Sequence, residues 1–270
     1  MIIVKLYGGL GNQLFQYATA RSLALKNKTE LSFDLHDFSV NKKREYLLSG
    51  YTLPATIASN ESVQSIFQDN RLLNRLLGKS RWHIYREKNL SYDQRIADAS
   101  GDIYLDGHWM NEKYFAQIRT RLLKELLPKR HKTYDFGKNS VSIHIRRGDY
   151  ASEQETKKVH GVLPISYYKK AILKMKKIID NPVFYIFSDD LTWVHQHRRS
   201  FGQVKIMVGD SPNEDLYAMS HCSHHIIANS TFSWWGGWLS TNPHQVVIAP
   251  KKWYASGRDE NIVPKKWLRL

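Results

Sequence analysis

The sequence predicts an α/β fold of two domains, each built on a parallel sheet. At the amino terminus, an apolar strand over 2–7 leads into a glycine-rich loop, an apolar run at helical spacing and a second strand over 31–34. A strand, a helix and a strand in that order form a βαβ unit, whose strands are parallel. Strands and helices alternate again after residue 140. Because the segment 129–139 is basic and polar, it is the predicted linker, and we expect domains at 1–135 and 136–270.

The remaining elements of the first half are less distinct. Helical pieces are predicted over 62–67 and 71–77, a strand over 103–109, and a helix over 111–127 that Pro128 ends. The aromatic residues Trp82, Tyr85 and Tyr92 fit core or surface packing better than an acceptor groove.

The second half has clearer alternation. We predict strands over 141–145, 183–187, 204–208, 226–228 and 246–250, the last strand of the chain, and helices over 165–179, 191–198 and 213–219.

Composition limits the function classes. The formal net charge is +15, from 40 basic and 25 acidic residues, which predicts anionic partners such as nucleotides, nucleic acid or an acidic membrane surface. The single cysteine, Cys222, excludes an internal disulfide framework and fits a reducing cytosol. Neither a signal peptide nor a bilayer-spanning apolar run is recognisable, so we expect a cytoplasmic protein.

The first candidate site is the loop Gly8-Gly9-Leu10-Gly11-Asn12-Gln13. Glycines let backbone amides approach an anion at a helix N-terminus, and the two amide side chains add donors and acceptors. Asp34 lies about where a ribose-binding acid would be expected, but Leu14 occupies the place of the third glycine of a dinucleotide fingerprint. The alternative is a tight turn that only packs well.

The second candidate site follows the strand over 141–145, where His144, Arg146, Arg147 and Asp149 gather around a turn predicted at Gly148-Asp149. Ligands of open α/β sheets bind at the carboxyl ends of strands. Adjacent guanidinium groups repel unless an anion lies between them, and their planar forks fit phosphate oxygens. The alternative is a solvated loop.

A third candidate is the strand-to-helix junction Asn229-Ser230-Thr231-Phe232-Ser233, which suits either a phosphate cradle or a helix N-cap. Asp189 and Asp190 follow another strand. They lack a third carboxylate for a divalent ion, so Asp189 would either accept the N–H edge of guanine or cap a helix.

Two further clusters favour structural roles. The histidines around Cys222, in His221-Cys222-Ser223-His224-His225, lack partners at metal-ligand spacing, which favours packing over zinc binding. Trp234, Trp235 and Trp238 are spaced as core residues of a helix, although they could stack on a sugar.

Three motifs in order resemble the α-1,2-fucosyltransferases of glycosyltransferase family 11: the Gly8–Tyr17 loop, His144-Ile145-Arg146-Arg147-Gly148-Asp149-Tyr150 and Asn229-Ser230-Thr231-Phe232-Ser233-Trp234-Trp235. The resemblance implies a GT-B fold, with two Rossmann-like domains facing across a cleft. It implies inverting transfer from GDP-β-L-fucose to the 2-hydroxyl of a galactoside, without a metal or other cofactor. The acceptor would be a galactose-terminated, lipid-linked oligosaccharide of a surface polysaccharide or O-antigen.

The resemblance also assigns residues. Arg146 would bind the pyrophosphate, and Asp189 would contact guanine. The expected donor-binding residues are Gly9, Gly11, Asn12, Gln13, His144, Arg146, Arg147, Asp189, Ser230, Thr231, Phe232 and Ser233. The expected catalytic residues are Arg146, Asp149, His144 and Asn12.

Chemistry agrees with this assignment, because fixed arginines and amides can stabilise the charge that develops on departing GDP. Arg147 is expected to bond internally, to Asp149. The base that takes the acceptor proton stays open among Asp149, Glu153, Glu155 and His160. Asp149 fits an orienter of the arginines slightly better than a base.

Other hypotheses explain less. A nucleotide-cofactor oxidoreductase would use the first βαβ unit and Asp34 but leaves the arginines unexplained. A nucleic-acid-binding protein would use the +15 charge, but no contiguous basic stripe can be placed, so no nucleic acid partner is expected. The basic segments 251–254 and 265–269 are candidates for contact with an acidic membrane, against simple solubility.

Overall fold

The chain forms two compact units, Met1–Lys129 and Arg130–Leu270. The computed structural model describes residues 1–69, 81–257 and 261–270. All of the predicted linker except Lys129 belongs to the second unit. It is held there because the Lys132 N–H and the Tyr134 hydroxyl both donate to the Glu214 carboxylate. Among the described residues, no helix is both long and apolar enough to cross a membrane.

The first unit is a parallel α/β layer structure. Its strands are β1 (Ile2–Lys5), β2 (Leu31–Asp34), β3 (Thr56–Ile57), β4 (Trp82–Arg86) and β5 (Asp102–Asp106). Its helices are α1 (Leu10–Lys26), α2 (His36–Val40), α3 (Asn60–Asp69), α4 (Gln94–Ala97) and α5 (Arg119–Glu125), with 3₁₀ turns at Leu47–Gly50, Glu112–Tyr114 and Ala116–Ile118. Within the described residues the strand order is β3-β2-β1-β5-β4, all parallel.

Burial explains why β1 lies at the centre of this sheet. Ile2, Ile3 and Val4 are at most 1% exposed, as a strand covered on both faces requires. Helix α1 buries most of its length, including Leu14 and Phe15, and its N-cap is Gly9. The predicted βαβ unit is therefore confirmed.

Some elements of this unit differ from those that the sequence predicts. The continuous helix over 111–127 is wrong: the Asn111 side chain caps a 3₁₀ turn at the Lys113 N–H, and the backbone of buried Phe115 (φ −142°) interrupts the helix before α5. Strands β3 and β4 were not predicted, because their short or half-exposed sequences lack clear alternation. The helix predicted over 62–67 lies within α3, whereas 71–77 lies outside the described residues.

The second unit is also a parallel α/β structure. Its strands are β6 (Ser140–Ile145), β7 (Val183–Ser188), β8 (Val204–Ile206), β9 (His224–Ile226), β10 (Val247–Ala249) and β11 (Leu268–Arg269). Its helices are α6 (Gly148–Ser152), α7 (Gln154–His160), α8 (Ile165–Ile178), α9 (Leu191–His197), α10 (Pro212–Ser220) and α11 (Thr231–Leu239), with a 3₁₀ turn at Arg198–Ser200.

The strand order of the described second sheet is β11-β10-β9-β6-β7-β8, all parallel. Numbered from one in chain order, this is the 3-2-1-4-5-6 order of the Rossmann fold. Val141, Ile143 and Ile145 of β6 form the centre of the core, and α8 packs Tyr168 and Met175 against it. The predicted pair of Rossmann-like parallel-sheet domains, which the GT-B resemblance also implied, is confirmed.

Corrections in the second unit are local. Strand β10 is not the last strand, because β11 pairs with it at Ile248 and Leu268. The strand predicted over 226–228 lies earlier, at β9, and the turn predicted at Gly148-Asp149 is the first turn of α6. The tryptophans Trp234, Trp235 and Trp238 are at most 3% exposed, so the core interpretation is confirmed.

Candidate active site

The polar motifs of the second unit meet at one edge of its sheet. Strand β6 lies between β9 and β7, and all three run parallel, so their carboxyl ends share an edge. Arg146 follows β6, Asp189 follows β7, and Asn229 follows β9 closely. The strand order reverses between β6 and β9. Such a reversal is called the topological switch point, and it is where ligands bind in open α/β sheets.

The guanidinium group of Arg146 is held by two carboxylates. Its Nη2 donates to Asp149 Oδ1 at 2.7 Å, and its Nη1 lies 2.9 Å from Asp189 Oδ2. Its Nε is buried without a hydrogen-bond partner. A buried N–H of a cation is costly to leave unpaired, so this atom marks a position where an anionic oxygen would be stabilised.

Asp189 links both arginines. Its Oδ1 accepts the backbone N–H of Arg147 at 2.8 Å, while its Oδ2 pairs with Arg146. A Cβ placed on Gly148 would lie 2.5 Å from Asp189 Oδ2. A glycine at 148 therefore lets this carboxylate approach the start of α6.

Arg147 bonds internally, but to a different acid than expected. Its Nε lies 3.2 Å from Asp190 Oδ2, and its guanidinium carbon lies 4.3 Å from the ring centre of Trp193. Asp149, the expected partner, binds Arg146 instead. The reason is that Asp190 caps α9 at the Trp193 N–H, which fixes acid and ring beside Arg147.

His144 is a neutral buried ring between two elements of this edge. Burial first, and then the charge of Arg146, lower the pKa of His144 to about 3. Its ring centre lies 5.2 Å from that of Phe232 on α11, and its Nδ1 has no hydrogen-bond partner. Because it stays uncharged near neutral pH, His144 can donate or accept a hydrogen bond but does not add positive charge there.

The junction before α11 keeps features of an anion site. Ser230 occupies the N-cap position, but its hydroxyl makes no capping hydrogen bond. Ser233 donates to the carbonyls of Ala228 and Ser230, so its hydroxyl shapes the turn. Asn229 donates to the backbone carbonyls of His160 and Trp253, and its Oδ1 is buried without a hydrogen-bond partner. At the start of α11 both the helix dipole and the backbone N–H groups favour an anion.

In the first unit, the glycine loop is braced by Gln13. The fully buried Gln13 side chain donates to the carbonyls of Gly8 and Glu45 and accepts the Leu47 N–H. Its amide is thus occupied by the backbone of this unit. Asn12 is half-buried in the first turn of α1, beside Gly8, and Gly11 is buried in the same turn.

Asp34 is also occupied by its own unit. Its Oδ2 accepts the Tyr104 hydroxyl at 2.5 Å, and its Oδ1 accepts the His36 N–H at 2.9 Å. A ribose-binding acid needs its oxygens for the ligand hydroxyls. This arrangement counts against the oxidoreductase hypothesis.

Comparison with known proteins assigns the family. The model described as Glycosyl transferase family 11 matches residues 1–270. The chain belongs to glycosyltransferase family 11. An alpha-1,2-colitosyltransferase of Escherichia coli is 33% identical over 293 residues, covering 100% of this chain and 99% of that protein.

Two other relatives extend the comparison. The O-antigen biosynthesis glycosyltransferase WbnK of Escherichia coli is 30% identical and covers 98% of this chain and 99% of its own length. A galactoside 2-alpha-L-fucosyltransferase of Caenorhabditis elegans is 27% identical, over 91% of this chain and 71% of its own.

The candidate bases of this family 11 transferase differ in their surroundings. Asp149 is ion-paired with Arg146. Glu153 and Glu155 are exposed, and Glu155 pairs with Lys158. The His160 ring stacks on Tyr150 and near Tyr254, and burial lowers its pKa.

Sequence reasoning missed one cluster of the transferase, at the switch point of the first sheet. Tyr7 follows β1 and His108 follows the adjacent β5, and the Tyr7 hydroxyl lies 3.2 Å from His108 Nδ1. The Glu87 carboxylate accepts the N–H groups of His108 and Trp109. Burial, followed by the nearby acids, raises the pKa of Tyr7, so its hydroxyl stays protonated. Both residues lie near the ends of predicted strands, but only the pairing of β1 with β5 brings them together.

The acids and histidines of the transferase lie apart from one another as far as metal binding is concerned, in the residues that the structure describes. Within the described ranges, no three His, Cys, Asp or Glu side chains lie together as an ion would need. In the His221–His225 segment, His225 Nδ1 lies 2.8 Å from the Ser142 hydroxyl and Cys222 is buried, so these two side chains pack in the interior, whereas His221 is exposed.

Proposed function

We propose that this family 11 glycosyltransferase transfers L-fucose from GDP-β-L-fucose to the 2-hydroxyl of a terminal galactose. The transfer inverts the anomeric carbon and gives an α-1,2 linkage. The 2-position and the sugar class are supported by relatives named for α-1,2-colitosyl and galactoside 2-α-L-fucosyl transfer. The O-antigen role of WbnK supports a galactose-terminated, lipid-linked oligosaccharide of surface polysaccharide as acceptor, used at the cytoplasmic side.

The observation that carries the proposal is the state of Arg146. Both of its terminal nitrogens are fixed by carboxylates, and its Nε is buried and unpaired at the switch point of the second sheet. As the bond from C1 of fucose to the β-phosphate oxygen breaks, GDP takes the electron pair and negative charge grows on the phosphate. A donor group that is already oriented stabilises this charge without reorganising.

Other residues of the edge have supporting roles in the proposal. The helix dipole and backbone amides at the start of α11 (Ser230, Thr231 and Phe232) add positive potential for the pyrophosphate. Neutral His144 hydrogen-bonds without competing for the proton of the acceptor. Arginine and amide groups thus take the part that a metal plays in other glycosyltransferases, and no cofactor is needed.

In our proposal the first unit binds the acceptor. Its switch-point cluster offers the Tyr7 hydroxyl, the His108 imidazole and the Glu87 carboxylate, groups of the kind that bind sugar hydroxyls. As the galactose 2-hydroxyl attacks C1, its proton passes to a neighbouring base. In our proposal Asp149 orients Arg146 and does not accept this proton.

The relative named for colitosyl transfer supports a second donor. Colitose is L-fucose without its 3-hydroxyl group. A pocket that hydrogen-bonds the 3-hydroxyl rejects the deoxy sugar strongly, whereas an apolar pocket discriminates weakly. The choice of donor therefore depends on one contact.

The test is turnover of GDP-β-L-fucose and GDP-colitose in EDTA, with β-galactosides and their 2-deoxy analogues as acceptors. We expect an α-linked fucosyl product, with the linkage to O2 shown by NMR, and no product from the 2-deoxy acceptor. If only GDP-colitose gave product, the donor would be GDP-colitose and not GDP-fucose. If the 2-deoxy acceptor gave product, the linkage would not be to O2.

Variants test whether the activity depends on the site around Arg146. We expect Arg146→Ala to lower kcat about 100-fold or more, because removing one charge-stabilising donor costs that much in related chemistry. Arg86→Ala is the matched control, since its side chain is 65% exposed on the first unit. Full activity in Arg146→Ala would contradict the assignment.

A further inference from the structure

Helix α8 presents an exposed face with a single apolar residue at its centre. Tyr167, Tyr168, Ala171, Ile172 and Met175 are buried against the second sheet. On the opposite side, Leu173 is 61% exposed. An exposed leucine alone is ordinary, so its neighbours decide its meaning.

Four lysines surround Leu173. Residues three and four positions away are neighbours on a helix surface, and at Leu173 these are Lys169, Lys170, Lys176 and Lys177, all exposed. Helix α8 has no acidic residue, and in the described part of the chain none of these lysines forms an ion pair. The face is therefore a contiguous basic surface, which the sequence alone did not locate.

The stability of the helix explains only part of this pattern. Lys176 and Lys177 lie in the last turn, where the helix dipole favours cations, but Lys169 and Lys170 do not. Lys170 and Lys174 are four residues apart, and like charges at that spacing destabilise a helix. Clusters of about four to eight basic residues on one helix surface are typical of sites that bind acidic lipid headgroups.

The basic segments singled out in the sequence have a different structure. Trp253 and Trp267 are 1% and 4% exposed, so neither ring is available to enter a lipid interface. Their lysines, at 251, 252, 265 and 266, are exposed. The leucines nearest to them, Leu268 and Leu270, are 40% and 38% exposed, less than Leu173 at 61%.

We propose that the Leu173 face of α8 binds the second unit to a membrane surface rich in acidic phospholipids. Leu173 enters the headgroup region, and Lys169, Lys170, Lys176 and Lys177 contact lipid phosphates. The exposed leucine selects lipid over nucleic acid, because a phosphate backbone offers it no apolar environment. The proposal goes beyond the transfer reaction and does not depend on the donor.

The experiment measures co-sedimentation of the full chain with vesicles of phosphatidylcholine, alone or mixed with phosphatidylglycerol, at low and high salt. The test variant changes Lys169, Lys170, Lys176 and Lys177 to Gln, which preserves helix propensity. The matched control changes Lys251, Lys252, Lys265 and Lys266 to Gln, with the same loss of charge. Thermal unfolding checks that both variants are folded.

We expect wild type to bind only the acidic vesicles, more weakly at high salt. Each lysine near an acidic surface is worth about fivefold in affinity, so the α8 variant, which loses four, should bind about 600-fold more weakly, and the control variant should lose much less. Leu173→Ser should lose about tenfold.

Three results would overturn the proposal. The first is equal loss in both quadruple variants, which would indicate non-specific charge. The second is unchanged vesicle binding by Leu173→Ser. The third is tighter binding to duplex DNA than to acidic vesicles through the same lysines, which would make the partner a nucleic acid.

Discussion

Arg146 and Asp189 form an ion pair of 2.9 Å between groups that follow two adjacent parallel strands, β6 and β7. The same carboxylate accepts the N–H of Arg147. Two arginines and three aspartates (Asp149, Asp189 and Asp190) meet here, so the formal charge of this cluster is −1. The cluster is thus built to orient guanidinium groups more than to accumulate positive charge.

This arrangement predicts that Asp189→Asn lowers kcat but hardly changes the Kd for GDP. Removing a negative charge favours the anionic donor, but Arg146 loses an anchor, and small displacements of catalytic groups cost up to about 100-fold. We expect kcat to fall by about tenfold or more, with little change in the Kd for GDP. Steady-state kinetics and calorimetric titration with GDP measure the two quantities.

The same variant shows whether Asp189 positions Arg146 or recognises the guanine of the donor. Inosine diphosphate lacks the 2-amino group of guanine, so a carboxylate that reads guanine would discriminate GDP from it. Both oxygens of Asp189 already have partners, and we expect the ratio of the two affinities to be equal in wild type and Asp189→Asn. A smaller preference for GDP over inosine diphosphate in the variant would mean that Asp189 contacts guanine.

Asp149 gives a second test, of positioning against general-base catalysis. Asn at 149 keeps an oxygen acceptor for Arg146 Nη2, so we expect Asp149→Asn to lose about tenfold in kcat and Asp149→Ala more. Loss of a general base costs about 100-fold to 10,000-fold and removes one limb of the pH–rate profile. Measuring kcat against pH distinguishes the cases, with exposed Asp98→Asn as control. A missing limb in Asp149→Asn would make Asp149 the base.

The glycine loop can be tested by a matched pair. Gly8 has φ +79°, and an added Cβ would lie 2.6 Å from Asn12 Nδ2, whereas at Gly9 (φ −77°) a Cβ would meet nothing within 4 Å. We expect Gly8→Ala to lower the unfolding free energy by about 1–2 kcal/mol and to displace Asn12. Gly9→Ala should unfold like wild type in urea.

Activity then shows whether a substrate occupies the loop. If a substrate contacts the backbone at Gly9, Gly9→Ala loses activity at unchanged stability, which is the expected result. Full activity in Gly9→Ala would place no ligand against this part of the loop.

The sequence predicted the sites that are contiguous in the chain and missed those formed by distant residues. The motifs at Arg146 and Ser230 follow apolar strands, whose periodicity locates their carboxyl ends. Tyr7 and His108 are 101 positions apart and only become neighbours through the pairing of β1 with β5, which no local pattern specifies. The pairing of Arg146 with Asp149 and Asp189, instead of Arg147 with Asp149, depends on side-chain directions that strand patterns do not contain.

Buried histidines predict how the stability of the fold depends on pH. Burial is the main cause that lowers the pKa of both His144 and His225 to about 3, against about 6.5 in an unfolded chain. Between these values the unfolded state binds protons that the folded state does not. Stability is therefore complete above about pH 6.5 and falls by about 1.4 kcal/mol per pH unit for each histidine as the pH decreases towards 3.

Urea unfolding between about pH 7 and about pH 5 measures this slope. In His225→Phe the ring volume is retained while the titrating group is lost, so we expect the stability lost between about pH 7 and about pH 5 to be about 2 kcal/mol smaller than in wild type, whatever the variant's absolute stability. Exposed His244→Gln, as control, should keep the wild-type slope. A wild-type slope in His225→Phe would mean that His225 takes up its proton in the folded state, contrary to its burial beside Ser142.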